Sequence, residues 1–109
     1  MKTCKQQLST NYSETMKEMR QLVHLLKTDE VKYQDMFNSI VLSCEYNYQF
    51  KSNLLLLSWG GPAEGFLFSR DGKRIRYYFQ DWGDYAEKQL SGKDLDTLQY
   101  LFTDLIFQK

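Results

Sequence analysis

Between Ser13 and Lys27, apolar side chains recur at steps of three and four: Met16, Met19, Leu22, Val23 and Leu26. Glu14, Lys17, Glu18 and Lys27 fall between them. That period marks one face of an amphipathic helix, and Ser13 offers a capping side chain at its start. The preceding stretch, MKTCKQQLSTNY, is polar and without period, so a flexible tail is expected over 1–12. Thr28-Asp29 breaks the stripe and can cap a shorter second helix, DEVKYQDMF, with Val31 or Tyr33, Met36 and Phe37 turned inward.

The period then changes to two. Ile40, Leu42, Cys44, Tyr46, Tyr48 and Phe50 alternate with Val41, Ser43, Glu45, Asn47, Gln49 and Lys51. This predicts a first strand over 40–50 with one wetter face. After Ser52-Asn53, the run LLLLSW is apolar on both parities, as in a central strand covered on both sides. Gly60-Gly61-Pro62 ends it. GFLFS and RIRYYFQ follow, joined by Arg70-Asp71-Gly72-Lys73, and Asp-Gly between such runs is a strong hairpin signal. Residues 81–90 are expected to be loop or a helical turn. Ser91 and Asp94 resemble a capping box, and Leu95, Leu98, Leu101, Phe102, Leu105 and Ile106 then predict a C-terminal helix. The expected fold is α+β: a four-stranded antiparallel meander, preceded by one or two helices and followed by another, in a single domain over 1–109.

Parity divides the stretch RIRYYFQDWGDY. Ile75, Tyr77 and Phe79 are assigned to the core, and Arg74, Arg76, Tyr78 and Gln80 to the opposite face. In the second strand, any register leaves two leucines on that wetter face, beside Val41, Leu67 and Tyr78. Burying a leucine is worth roughly 1.5–3 kcal/mol, so such a patch calls for a cover. Helices on both faces, a symmetric dimer through the sheet, or another protein would each supply one.

Composition narrows the function. Seven Phe, eight Tyr and two Trp in 109 residues can fill a core without disulfide or metal staples. Lys plus Arg and Asp plus Glu both number 14, so the basic excess that phosphate-backbone binding draws on is missing. Cys4 and Cys44 have no metal-ligand spacing, and no apolar run approaches the length of a membrane span. A reduced, cytoplasmic protein is expected.

Candidate chemistry is sparse. His24 lies between Val23 and Leu25 with no ligand partner at helical spacing, and neither cysteine has an adjacent base. Asp81, Asp84 and Glu87 would converge only on a helix, and Gly83 argues against one; Asp81 and Asp84 can equally pair with Arg74 or Arg76. The glycines of WGGPAEG lack the Lys-Ser/Thr of a phosphate loop. No catalytic residue, metal or cofactor is assigned.

Tyr, Trp and Arg are the residues most enriched at interface hot spots. The expected contact residues are Arg74, Arg76, Tyr78, Asp81, Trp82, Asp84 and Tyr85. The expected function is a small non-enzymatic protein-binding module. In size and aromatic content it is similar to small inhibitors such as toxin-immunity partners and phage-encoded inhibitors of host defence, which sterically block another protein. The alternative is a nucleic-acid-binding accessory protein using the basic and aromatic hairpin at 70–82.

Overall fold

The structure, a computed structural model, describes residues 3–48, 50–59, 62–81 and 83–106. Among these residues, three helices, α1 (Cys4–Lys27), α2 (Tyr33–Ile40) and α3 (Gly92–Ile106), accompany five strands. These are β1 (Ser43–Asn47), β2 (Ser52–Ser58), β3 (Ala63–Phe68), β4 (Ile75–Asp81) and β5 (Asp84–Gln89). The strands form an antiparallel meander in the order β1-β2-β3-β4-β5. The α+β class therefore stands, but the sheet has five strands where four were expected.

The additional strand is β5, in the segment expected to be loop. It pairs with β4 from Asp81↔Asp84 to Arg76↔Gln89, after a two-residue connection in which Gly83 has φ +77°. Only Ala86 is half-buried in it; the rest is exposed. An edge strand needs backbone partners on one side only, so β5 forms without an apolar alternation to announce it. Its charges also discourage further pairing at that edge.

The first helix starts earlier than the sequence suggested. Thr3, not Ser13, is the N-cap: its hydroxyl accepts from Gln6 N at 3.2 Å, while Gln6 Oε1 accepts from Thr3 N at 2.8 Å. Most of the stretch expected as a tail is therefore helical, and Tyr12 joins the core. Thr28-Asp29 closes α1 instead of opening α2. Thr28 N donates to His24 O, Glu30 N donates to Leu25 O, and Asp29 takes φ +58°. The second helix then runs to Ile40, which shortens the expected first strand to 43–47.

One core joins the helices to one face of the sheet. Tyr12, Met16 and Met19 of α1, Met36 of α2, and Leu98, Leu101 and Phe102 of α3 pack on Leu55, Phe66, Phe68, Ile75, Tyr77 and Phe79. These sheet residues share one side of the pleat. Within the layer, Tyr77 donates its hydroxyl to Glu64, which also accepts from Thr15 Oγ1 at 3.2 Å. Tyr12 donates to Asp94, fixing the start of α3 to α1. Burial first, and the neighbouring carboxylates second, push both phenols well above the ordinary tyrosine pKa.

The core assignments of Ile75, Tyr77 and Phe79 hold. Cys44 and Tyr46 lie on the helix side of the sheet, as their parity implies, but on its β1 edge; Cys44 is exposed there and Tyr46 half-buried. All three helices cover the same face, so an arrangement with helices on both is not adopted.

Candidate functional site: the helix-free face of the sheet

The side of the sheet away from the helices carries Leu54 and Leu56 of β2, Ala63, Gly65 and Leu67 of β3, Arg76, Tyr78 and Gln80 of β4, and Tyr85, Glu87 and Gln89 of β5. Ala63, Leu67 and Tyr78 form a second apolar cluster, flanked by half-buried Leu54, Leu56 and Phe50. Gly65 lets β2 and β3 close on this face: a Cβ there would stand 2.1 Å from the Leu55 carbonyl oxygen.

Phe50 supplies the partial cover. It comes from the turn after β1, where its N–H donates to Asn47 Oδ1 at 3.0 Å, and it reaches across the sheet. Its ring centroid lies 5.6 Å from those of Tyr78 and Tyr85, which are 5.7 Å from each other. This triangle leaves Tyr78 only 4% exposed. Tyr78, expected as an exposed contact, is instead the base of the patch, its hydroxyl donating to Gln80. Tyr85 remains 40% exposed. Val41, expected beside the patch, packs into the helix-side core.

A groove adjoins the apolar patch where the turns after β1 and β3 meet the end of β5. It is lined by Lys51, Ser52, Ser69, Arg74, Arg76 and Glu87 among others. Arg76 Nη1 donates to both Glu87 oxygens, at 3.0 and 2.9 Å, and Nη2 donates to Ser52 Oγ at 3.4 Å. Glu87 also accepts from Tyr85; burial and that carboxylate together push the Tyr85 pKa up to about 12. Among the described residues, neither Lys51 nor Arg74 has a carboxylate within ion-pair distance.

The expected contact residues thus separate. Arg74, Arg76 and Tyr85 meet around the groove and patch, with Tyr78 beneath them. Asp81 and Asp84 face each other at the far end of the β4–β5 hairpin, on the helix-side parity, while Glu87 is on the opposite face. These three carboxylates therefore do not converge, and no cluster of metal-ligating residues occurs among the described residues. Trp82, Gly60 and Gly61 lie outside the described residues. Sequence reasoning missed Phe50, Lys51 and Glu87 as parts of the contact face. Phe50 and Lys51 were counted into a strand that ends before them, and Glu87 into a loop.

Comparison with protein-family models, with curated proteins and with solved structures gives no match to this chain.

The Cys44 thiol is raised by desolvation and then by Glu45, which disfavours the thiolate a nucleophile needs. His24 is exposed in the last turn of α1. A separate concavity beside α2, lined by Leu26, Val31, Lys32, Tyr33 and Tyr100, has its phenol Tyr33 donating to the Leu101 carbonyl. No helix among the described residues is long and apolar enough to cross a membrane.

Proposed function

We propose that this chain is a non-enzymatic protein-binding module whose helix-free sheet face is the contact surface. The observation that carries this reading is the one-sided layering. Three helices share one face, while the other keeps half-exposed leucines, Phe50 and Tyr85 beside a charged groove. Apolar centres with polar rims and Tyr or Arg anchors are the usual anatomy of contact faces between proteins. A rigid sheet needs little ordering to bind, which favours an inhibitor that works by covering a partner's operative surface.

The nucleic-acid reading has less support. Arg70 sits over the Tyr46 ring, 5.6 Å from its centroid, on the helix-side parity, so the basic hairpin divides between faces. The ring triangle packs on itself at interplanar angles of 71°, 35° and 44°, rather than opening as a ladder for bases.

Light scattering over a concentration series, for wild type and Leu56→Glu, provides the first test. A monomer in both is expected. A wild-type dimer that dissociates in the variant would assign this face to self-association and overturn the reading. Cross-linking to the native partner should then be lost in Leu56→Glu and kept in Lys17→Glu on the exposed side of α1. Equal cross-linking by both variants would reject the face.

A further inference from the structure

The groove at the turn end of the contact face has a chemistry of its own. Lys51, Arg74 and Arg76 converge there from three parts of the chain, against one carboxylate, Glu87, in the lining. The serine hydroxyls are already committed: Ser52 donates to Phe50 O, and Ser69 donates to Asp71 while accepting from Arg74 N. Apart from the Gln89 amide, which also lines the groove, the further side-chain donors among the described residues are cationic. They are the Lys51 ammonium, the Arg74 guanidinium, and the N–H groups of Arg76 left after Nη1 serves Glu87 and Nη2 serves Ser52.

Two further observations bear on the groove. Asp81 and Asp84 close the opposite end of the β4–β5 hairpin, about 17 Å along the strand from Arg76 at the usual rise. They belong to the helix-side parity, so the formal charge of zero conceals a helix-free face that is cationic at its groove end. Lys51 also sits at φ +52°, a conformation that glycine or asparagine adopts with less strain. A long cationic side chain is present at a turn position whose backbone does not favour it.

The geometry points to an acidic segment of a partner protein as the occupant, with a carboxylate side chain in the Lys51–Arg74–Arg76 groove and an adjoining large apolar side chain on Leu54, Leu56 and Phe50. The inference rests on the contact-face reading above and specifies the partner's chemistry. Charge complementarity selects the occupant. Three cations suit one or two carboxylates, while Glu87 in the lining opposes a continuous phosphate backbone. The neighbouring leucines seat an aliphatic or aromatic side chain, and the rings of Phe50, Tyr78 and Tyr85 pack on one another instead of forming a ladder for bases.

Selection of short random peptides displayed on phage, with the full-length chain immobilised, tests this without knowing the partner. Wild type should enrich Asp or Glu next to a large apolar residue. The double variant Lys51→Asn/Arg74→Gln should lose the acidic preference, keep the apolar one, and bind the best acidic peptide about tenfold more weakly. Asparagine tolerates the backbone of position 51, and matching thermal melts confirm that the variant is folded. Apolar enrichment without acids, or acidic enrichment unchanged in the double variant, overturns the inference but leaves the contact face standing. Enrichment unaffected by Leu56→Glu overturns both, as does no enrichment at all. Binding of single-stranded DNA that outcompetes the peptides and weakens steeply with salt would transfer the groove to nucleic acid.

Discussion

Glu87→Gln should make the protein slightly less stable and a better binder of acidic peptides. The glutamine keeps the side-chain shape and removes the one negative charge in the groove lining. Arg76 and Glu87 are 29% and 32% exposed, so their ion pair is partly screened. Pairs of this kind contribute about 0.2–1 kcal/mol, and the amide oxygen can still accept one N–H, so a loss of about 0.5 kcal/mol is expected. Binding moves the other way. The net charge of the groove rises from +2, three cations against Glu87, to +3. An incoming carboxylate about 7 Å away would escape a repulsion of about 0.6–2.4 kcal/mol for an effective dielectric between roughly 80 and 20. Taking about 1 kcal/mol gives a fivefold gain in affinity.

Urea unfolding measures the first effect, and calorimetric titration with a selected acidic peptide measures the second. A third readout is internal. The Tyr85 phenol is held up to about 12 by burial and then by Glu87. In the variant its absorbance titration should move down towards the ordinary value of 10. A lower Tyr85 pKa together with weaker peptide binding would refute the electrostatic reasoning. Glu87 would then matter by positioning Arg76, and its charge would not oppose the ligand.

Gly65→Ala should destabilise the fold by about 2–4 kcal/mol, because its Cβ would meet the Leu55 carbonyl at 2.1 Å and part β2 from β3; an unchanged urea midpoint would contradict this. Thr3→Ala should cost about 1 kcal/mol and speed hydrogen exchange in the first turn of α1, since it removes the capping hydroxyl; unaltered exchange there would mean that the helix begins later. Tyr77→Phe should cost about 1–2 kcal/mol at neutral pH by removing one donor from Glu64. The Tyr77 pKa is raised in the folded state, so its stabilising contribution is complete below the unfolded value of 10 and is lost as pH climbs above it. Alkaline unfolding followed by circular dichroism should therefore be shallower in Tyr77→Phe than in wild type, and an equally steep loss would remove this phenol from the account.

What the sequence disclosed depended on whether a residue's neighbours were close in the chain. The hairpin at Asp71-Gly72 was legible because its chemistry is local: Gly72 has φ +73°, and Asp71 Oδ1 accepts from Lys73 N at 2.9 Å. The parity of Ile75, Tyr77 and Phe79 was legible for the same reason. The start of α1 could have been found, because Thr3 and Gln6 have capping-box spacing and Leu8, Tyr12 and Met16 continue the apolar stripe at four-residue steps. The polar residues around them hid the pattern. For β5 the local signal was Gly83 alone, since Tyr85, Glu87 and Gln89 contribute to a face that only pairing with β4 creates. The burial of Tyr78 was equally illegible, because Phe50 covers it from a turn on the far side of two strands.

The contact face follows from this same non-locality. Lys51 and Arg74 lie 23 positions apart and belong to different turns, yet an antiparallel meander returns alternate turns to the same end of the sheet. Neutral composition therefore says little about local potential: a chain with equal numbers of acids and bases can still present three cations together. Apolar surface at Leu54 and Leu56 is non-directional and accepts many side chains, so by itself it would make a permissive binder. A cationic groove on one side of it makes the contact depend on where the partner places its acid. The leucines and Phe50 then supply contact area, while Lys51, Arg74 and Arg76 determine which partner fits and in which orientation.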